Sequence, residues 1–557
     1  MNTLRRIKFS LAFLSALLTF SVVLAACSQG TGGSGTEPQN ESEPSGNDTK
    51  NESASEEKRG SISILTRDIP DLDPSVGTIT SNQWTKWIDE NSPVDVKYVP
   101  VVGSEQEDKL NVMLASGSAP DLLSNLFNPA HRNDLYAQKQ LLPIGSLIEE
   151  HSTTYKKMLE EYPVLRKLGT KDDGDLYEVG RIQQLFPELY LLVREDWLTK
   201  LNLQVPKTTD ELLDAMRAFV RQDPDGNNTD DTLGINIGGI ANINIEHMFE
   251  SKPDDFNFII ENGKMVHGWD RRKAALEFKK TLFDEGLVDR DYLLDKGGNK
   301  AKEAWVTGKM GFYGTWQGNL NKEIESLLQN VPEAKVIAIP LPGSQFGNFA
   351  PALSAPAQMV AAVNRGAKDP EAVIKFIDFV SEESTQAVLS SGFEGVHYNL
   401  ENGCPIPTDA EKNNKEIVGK VFSTFVSSGI LFGGECAAED KLDLTVPANK
   451  MIYDIRKTAK SIYVNPDIHP AEFTHNEWRP QVPADINLII NNTKQQINDM
   501  LSKAVVSGSD YTADQAMKDA MALWESSGGK KVDEWYRNWY EANKDSWPFN
   551  KDLYTGL

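Results

Sequence analysis

Oxygen-bearing side chains occupy every second position of one short loop, at Asp223, Asp225, Asn227, Thr229 and Asp231. An EF-hand loop presents its ligands to Ca²⁺ with a similar alternation, and its seventh-position ligand is a backbone carbonyl. Gly226 and Asn228 both tolerate the left-handed conformation that such a tight loop requires. Position twelve, where an EF-hand has a bidentate Glu, is Gly234, which excludes a complete EF-hand. The loop predicts a structural Ca²⁺ site, and a solvated turn of Asp, Asn and Gly is the alternative.

Common signatures of catalysis are missing from the sequence. It has no Walker loop, no dinucleotide fingerprint between a strand and a helix, no GxSxG elbow and no HExxH. Its seven histidines are scattered, without the spacing of metal ligands. With 81 acidic residues, paired carboxylates are abundant, so spacing alone leaves a glycosidase pair open.

The acidic loop follows a segment with clear helix signals. Thr208 and Glu211 have the spacing of a capping box, in which the hydroxyl and the carboxylate each accept from a backbone amide of the first turn. One apolar face follows, formed by Leu212, Leu213, Met216, Phe219 and Val220. Arg221 closes the last turn, where a cation suits the helix dipole. This amphipathic helix would hold the loop in place.

The N-terminus reads as a targeting segment. Arg5, Arg6 and Lys8 precede the apolar run from Leu11 to Leu24, which is short for a membrane span. The run ends in Leu24-Ala25-Ala26-Cys27, a pattern that resembles a bacterial lipobox. Residues 1–26 are therefore predicted to be a lipoprotein signal peptide, with the lipid on Cys27, and ordinary secretion is the alternative. Residues 27–60, rich in Ser, Gly, Asn, Thr and Glu, are predicted to be a flexible tether.

Charge, size and cysteine content constrain the rest of the chain. The net charge of −24 argues against nucleic acid or anionic headgroups as partners and suits a protein outside the cell. A body of roughly 500 residues is too large for one core and predicts two lobes. Besides Cys27 there are only Cys404 and Cys436, and both a disulfide and two free thiols are open.

Strand and helix patterns alternate after the tether. Apolar strand patterns at 61–65, 94–101 and 121–123 are separated by helix patterns at 82–91 and 106–115, which predicts a parallel sheet covered on both faces. Ligands bind such sheets at the carboxyl ends of the strands. The candidate ligand residues there are Arg67 and Asp68 after the first strand and Asn125 after the third.

Several segments, in their order, resemble a known family. They are the lipobox, DKLNVMLASGSAPDLL (108–123), GDLYEV (174–179), REDWLTKLNL, PKTTDELL, DPDGNNTDDTLG, AWVTGKMGFYGTW (304–316), DPEAVIKFIDFVSEE (369–383) and FEGVHYNLENG (393–403). Together they resemble the extracellular solute-binding lipoproteins of carbohydrate ABC importers, especially the large members from Gram-positive bacteria. The resemblance covers most of the chain from Ser61 onward.

This resemblance implies an α/β fold with two lobes, like a periplasmic binding protein, with hinge strands between the lobes. By analogy, residues 61–185 and 352–395 form lobe 1, and residues 186–351 and 396–557 form lobe 2. The lobes close over an oligosaccharide, and the closed form is recognised by a membrane permease. The resemblance implies no catalysis. We expect a monomer, held by its lipid on the extracellular face of the cell membrane.

The resemblance also assigns candidate binding residues. Trp316 would stack on a sugar ring, next to Gln317, while Arg181 and Gln183 lie before the strand that opens lobe 2. Glu394 and His397 belong to the FEGVHY motif, which is either a binding or a structural element. Some alginate-oligosaccharide-binding relatives carry Ca²⁺ in the loop that matches 223–232. Here Thr232 replaces an acidic ligand, which would weaken the affinity.

Two other classes of function remain open. A surface polysaccharide-degrading enzyme would share the export signal, the acidity and the aromatic residues. A protein of the same fold could instead bind a peptide or signalling ligand and present it to a membrane sensor. Thermal stabilisation by ligands, together with a test for products, separates these possibilities.

Overall fold

The computed structural model describes residues 59–69, 72–251, 257–295, 297–401, 403–417, 439 and 442–555. The predicted signal peptide, Cys27, nearly all of the predicted tether and Cys436 lie outside these ranges. Within them the chain forms mixed helices and strands. The strands are β1 (Gly60–Asp68), β2 (Val94–Val102), β3 (Leu122–Ser124), β4 (Glu178–Ile182), β5 (Leu189–Arg194), β6 (Phe258–Glu261), β7 (Lys264–His267), β8 (Phe312–Trp316), β9 (Val336–Ala338), β10 (Phe349–Ala350), β11 (Ala357–Val363), β12 (Tyr398–Glu401), β13 (Cys404–Pro407) and β14 (His469–Pro470).

The helices lie between and after these strands. They are α1 (Gln83–Asn91), α2 (Gln106–Ser116), α3 (Pro129–Ala137), α4 (Gly145–His151), α5 (Thr154–Glu161), α6 (Pro163–Gly169), α7 (Glu195–Lys200), α8 (Thr209–Arg221), α9 (Gly239–Met248), α10 (Trp269–Asp284), α11 (Asn299–Val306), α12 (Leu320–Asn330), α13 (Pro370–Ser381), α14 (Glu383–Ser391), α15 (Ala410–Ile417), α16 (Pro447–Tyr463), α17 (Ala484–Val506), α18 (Ala513–Ser526) and α19 (Gly529–Asn543). None of these helices has both the length and the apolar character of a membrane span.

The first sheet has the strand order β2-β1-β3-β11-β4. Strands β1, β2 and β3 are parallel, as the alternation of patterns predicts, whereas β11 runs antiparallel to both β3 and β4. Ile64 packs into a core on one face of the sheet and Leu65 into a core on the other. Because both faces are covered, the strands are rich in apolar residues. This sheet and its helices form the first lobe.

The second sheet has the order β8-β5-β9, with β5 antiparallel to both neighbours. Leu191 and Val193 enter one core, while Tyr190 and Leu192 enter another. The continuous apolar run LYLLV thus reflects burial on both faces of the sheet. Gly314 is required in β8, since an added Cβ would lie only 2.6 Å from Cα of Ala241 in α9. This sheet is the centre of the second lobe.

Two antiparallel segments connect the sheets, residues 183–188 and 352–356. The Gln183 amide donates to the Pro356 carbonyl at 2.8 Å, and the Glu188 amide donates to the Ala352 carbonyl at 3.0 Å. Between them, the Ser354 hydroxyl accepts from the Phe186 amide and donates to the Gln184 carbonyl. We call this pair of segments the hinge ladder.

The C-terminal helices pack on the second lobe. Apolar residues at helical spacing in α18 and α19 supply part of the core, including Met517, Trp524 and Tyr536. Met521 follows the same spacing in α18 but is 46% exposed. Helix α18 contacts α10, α17 and α19, and Met521 lies on its exposed side.

Helix α15 contacts the first lobe. The Trp84 indole of α1 donates to the Glu416 carbonyl at 2.7 Å, and Lys415 forms an ion pair with Asp73 at 3.0 Å. The analogy assigned everything after residue 395 to lobe 2. These contacts favour a later boundary for this part of lobe 1, and the lobe limits stay predictions.

A buried ionic network holds a second C-terminal segment on the first lobe. Arg132 of α3 contacts Glu178 of β4 at 2.9 Å and Glu477 at 2.7 Å, and these three side chains are almost fully buried. Lys171 completes the network on Glu178. Glu477 lies in the 3₁₀ turn Asn476–Trp478, between α16 and α17. The chain is therefore tied to the first lobe both before and after α16.

Candidate ligand-binding site

One edge of the first sheet gathers five of the predicted ligand residues. The carboxyl ends of β1 and β3 place Arg67, Asp68 and Asn125 there, and β4 ends at the same edge because it runs antiparallel to β11. Arg67 is exposed and its guanidinium lies over Gly103. Asn125 has a left-handed backbone with φ of 61°, and its side-chain amide donates to Ser124.

Arg181 and Gln183 occupy the end of β4, where the hinge ladder begins. The Arg181 guanidinium donates to the Gln358 amide oxygen at 2.8 Å and lies over the ring of Phe127. Burial lowers the pKa of Arg181 to about 10, although nearby Glu477 opposes the change. The Gln183 side chain donates to the Ala355 carbonyl at 2.8 Å, which gives it a structural role in the ladder.

Trp316 ends β8 at the corresponding edge of the second sheet, and Gln317 follows it directly. Trp316 pairs with Leu189, the first residue of β5, and Leu189 directly follows the hinge ladder. The hinge segment 183–188 thus joins the edge that holds Arg181 to the edge that holds Trp316. The indole of Trp316 is 45% exposed, with its ring over Gly318. An exposed aromatic plane at a strand end suits an apolar ligand face.

A cavity of about 710 Å³ lies in the second lobe at this edge. Gly314 and Asn319, on either side of Trp316, belong to its wall, and the Asn319 amide donates to the Trp316 carbonyl at 2.9 Å. Polar side chains dominate the wall: Asn236, Asn242, Tyr292, Asn299, Tyr313, Asn319, Asn498 and Ser502, with the charged Glu246, Arg272, Lys279, Lys302 and Glu323. Amides and hydroxyls both donate and accept hydrogen bonds, as recognition of a polyhydroxylated ligand requires.

Two carboxylates in this wall are already bound by the protein. Glu246 forms an ion pair with Lys279; burial opposes its ionisation, but the lysine lowers its pKa overall. Glu323 accepts from the hydroxyls of Tyr313 and Thr315. Burial raises the pKa of the Tyr313 phenol, so it donates as a neutral hydroxyl. These contacts fix β8 relative to α12.

The FEGVHY motif packs against α1 of the first lobe. His397 is fully buried; its Nδ1 accepts from the Phe393 amide at 3.0 Å, and its Nε2 lies 3.0 Å from a Glu416 oxygen. Its ring also packs against Trp84. These contacts give His397 a structural role, the second of the two readings of its motif. Glu394 is exposed near Tyr398.

The acidic loop adopts the expected tight conformation. Gly226 and Asn228 both have positive φ, as predicted, and Asp223 does too. The carboxyls of Asp223 and Asp225 hydrogen-bond each other, which lowers the pKa of Asp223, while burial raises the pKa of Asp225. Lys200 fastens the loop through the Pro224 carbonyl at 2.8 Å.

The oxygen donors of this loop fit a hard cation in chemical type. Their contacts, however, are within the protein: the Asn227 amide donates to Asp225 and Asp231, and Lys309 contacts Asp231 at 2.7 Å. Within the described residues, three or more His, Cys, Asp or Glu side chains nowhere gather in a metal-binding arrangement. Thr232 is buried and donates to the Phe219 carbonyl, so it faces away from the loop centre.

Sequence reasoning missed the cavity residues. Asn236, Gly238 and Asn242 lie around the start of α9, Asn299 and Lys302 lie in the first turn of α11, and Asn319 precedes α12. The available signal was a glycine or asparagine directly before each helix. Its significance depends on the three helices starting at one place, which is a tertiary property.

Cys404 is disulfide-bonded, and its partner lies outside the described residues.

Comparisons with known proteins agree with this arrangement. Residues 77–387 match the profile of the family described as bacterial extracellular solute-binding protein. The chain is 24% identical over 484 residues to Lipoprotein LipO of Bacillus subtilis, covering 82% of this chain and 89% of LipO. It is 25% identical over 474 residues to the polygalacturonan/rhamnogalacturonan-binding protein YtcQ of the same organism, covering 82% and 86% of the two chains.

Solved structures show the same fold. The substrate-binding protein FusA of Streptococcus pneumoniae, in complex with kestose, superposes with a TM-score of 0.66 at 20% identity, covering 87% of this chain and all of FusA. The two lobes and the hinge ladder are thus those of a two-lobed binding protein. The family match spans more than half of the 557 residues. This chain therefore belongs to the family of bacterial extracellular solute-binding proteins.

Proposed function

We propose that this protein captures an oligosaccharide between its two lobes and delivers it to the permease of an ABC transporter. The observation that carries the proposal is the exposed indole of Trp316 at a strand end, beside a polar cavity and next to the hinge ladder. The indole offers a plane to the apolar face of a sugar ring, and the neighbouring amides suit its hydroxyls. The names of YtcQ and FusA, as binders of sugar polymers or oligosaccharides, support this class of ligand.

A ligand panel tests the proposal. Di- to hexasaccharides of neutral and acidic sugars, and peptides of similar length, are added to the folded chain while thermal unfolding is followed. A ligand at 100 times its Kd stabilises the protein by about 2.7 kcal/mol, which raises the Tm by several degrees. Stabilisation by at least one oligosaccharide is expected. Stabilisation by peptides alone would move the assignment to the peptide-binding alternative.

The proposal includes the absence of glycan hydrolysis. Bound oligosaccharide should be recovered unchanged after prolonged incubation, as measured by chromatography of the released ligand. The family is one of binding proteins, which supports this expectation. Appearance of shorter products that depends on one acidic residue of the cleft would instead establish the enzyme alternative.

We also propose that the mature chain begins at a lipid-modified Cys27 on the extracellular face of the membrane. The basic residues, the apolar run and Leu24-Ala25-Ala26-Cys27 support this, as does the lipoprotein relative LipO. Cys27→Ser should release the protein into the culture medium, and mass spectrometry of the wild-type N-terminus should find an acylated cysteine. An unmodified N-terminus at another residue would contradict the lipid anchor.

We further propose that the protein is a monomer, which light scattering of the folded chain would check.

The Asp223–Asp231 loop is proposed to hold a structural Ca²⁺ through Asp223, Asp225, Asn227, Thr229 and Asp231. The close carboxyl pair of Asp223 and Asp225 and the oxygen-only donor set support a divalent cation. A chelator should lower the Tm, and Ca²⁺ should restore it. Because the pKa of Asp225 is raised, Ca²⁺ affinity should fall as the pH drops toward that value. An unchanged Tm in chelator would end the proposal.

A further inference from the structure

The wall of the cavity contains more positively charged side chains than negatively charged ones. Five charged side chains line it, of which Arg272, Lys279 and Lys302 are cationic and Glu246 and Glu323 are acidic. Glu246 is neutralised by Lys279, and both are largely buried. Glu323 is held by two hydroxyls of its own lobe. The wall therefore carries a surplus of positive charge.

Lys302 is the cationic side chain of the wall that is placed to contact a ligand. It lies in the first turn of α11, is partly exposed in the cavity wall, and forms no ion pair with any described residue. Its neighbour Lys300, on the same helix, lies 3.8 Å from Asp291 and does not line the cavity. Arg272, in contrast, is 7% exposed and donates to the neutral amide of Asn498.

Two helix starts add to the positive potential. Helices α9 and α12 begin at the wall, and neither Gly238 nor Asn319 caps its helix with a side chain. The first amides of a helix carry partial positive charge. At α11 the Ala301 amide donates to the Asp295 carboxylate, so that helix start contributes less. The helix starts add to the positive potential of Lys302, but the excess of positive side chains in the wall exists without them.

This surplus runs against the composition of the chain. The net charge of the chain is −24, whereas the charged side chains of this cavity sum to a positive charge. A cavity of about 710 Å³ is also within the range of sites for small ligands. An unmatched lysine in a partly enclosed site favours a ligand that brings its own negative charge.

We infer that the cavity takes a carboxylated oligosaccharide, with Lys302 contacting a sugar carboxylate. The inference rests on the proposed function and narrows it to uronic-acid-containing ligands. The hydroxyls of the ligand would be bound by the amides of the wall, while the carboxylate would meet Lys302 and the start of α9 or α12. Neutral sugars of the same shape would lose this charge-assisted contact.

The test compares an acidic oligosaccharide with its neutral methyl ester. Trigalacturonate and its fully methyl-esterified form are titrated into the folded chain by isothermal calorimetry at low and moderate salt. We expect the acid to bind at least tenfold more tightly than the ester and to weaken as salt rises. Lys302→Gln should remove most of this preference, whereas Lys300→Gln, a matched change on the same helix, should leave it unchanged.

The same titrations separate failure of the inference from failure of the function. Equal binding of acid and ester, tighter binding of the ester, or binding of neutral oligosaccharides alone would overturn the inference and leave oligosaccharide capture standing. A preference for the acid that Lys302→Gln does not change would also overturn it. Binding of no oligosaccharide of either kind would overturn both. Because Lys302 is partly exposed, its substitution should not prevent folding, and unchanged thermal unfolding without ligand confirms this.

Discussion

Trp316 was predicted to stack on a sugar ring, and its exposed position at the end of β8 suits that role. The four preceding residues of β8 are buried, while the indole at the strand end is exposed. A large apolar ring in water has an unfavourable hydration free energy that a ligand can relieve. Two other predicted ligand residues have structural contacts instead, because Gln183 is used within the hinge ladder and His397 within a packed cluster.

Trp316→Ala should weaken oligosaccharide binding by about tenfold or more, since an aromatic contact contributes on the order of 1 kcal/mol beyond the area it buries. Calorimetry with the tightest oligosaccharide of the panel measures the change. Trp316→Phe keeps a ring and should retain most of the affinity. Equal binding by the Ala variant would remove Trp316 from the site.

At the scale of elements, α8 and its loop form one unit. The Thr208 hydroxyl accepts from the Glu211 amide at 3.2 Å, as the capping box predicts. The Glu211 carboxylate, however, accepts from the Lys207 amide, one residue before the expected position. Helix α8 then packs its apolar face into the core, which positions the acidic loop at its end.

The 3₁₀ turn at 476–478 depends on the buried network around Arg132. Glu477→Ala would remove one of the two carboxylates that pair with Arg132 and leave the buried network with an excess positive charge, for which a loss of about 3–5 kcal/mol in the free energy of unfolding is expected. Urea denaturation measures this loss. Glu90→Ala, at an exposed i,i+4 ion pair with Lys86, is the control and should cost less than about 1 kcal/mol.

The same carboxyl predicts a pH dependence. Burial raises the pKa of Glu477 above its ordinary value of 4.5, although Arg132 opposes this. The folded state then binds more protons than the unfolded state, so the contribution of Glu477 to stability falls as the pH rises from 4.5 through the raised value. Relative to Glu477→Gln, the wild type should lose stability over this interval. A difference that grows in the opposite direction would contradict the assignment.

The hinge ladder is the element that connects both lobes to the site. Ser354→Ala would leave the Phe186 amide and the Gln184 carbonyl without the Ser354 hydroxyl, at an expected cost of about 1–3 kcal/mol. Chemical denaturation again provides the measurement. Ser344→Ala, in a turn outside the ladder with one longer bond to the Phe346 amide, should have a smaller effect. Equal costs would argue against a special role for Ser354.

For the whole molecule, the ligand should change the distance between the lobes. The site edges meet at the hinge ladder, so a ligand that contacts both edges favours a closed arrangement. Small-angle scattering should show a lower radius of gyration with bound oligosaccharide than without it, from a starting value of roughly 23 Å for about 500 folded residues. An unchanged radius at saturating ligand would show that capture occurs without closure.

The amino-acid sequence by itself determined the local features of this protein. Periodicity and β-branched or aromatic runs located β1, β2, β5, α1 and α8, because burial of one stripe or both faces leaves a pattern along the chain. The ordered set of motifs also predicted the family, which the match over residues 77–387 confirms. Strand ends on the first sheet could be predicted since parallel strands share one edge.

Only the tertiary structure decided how distant segments meet. The cavity combines the starts of α9, α11 and α12 with α10 and α17, and no spacing rule links residues so far apart. The burial of His397 and the use of Gln183 in the hinge ladder likewise depend on partners elsewhere in the chain. Local pattern reports which face of an element is buried, whereas the surplus charge beside Trp316 arises from the packing of several elements around one space.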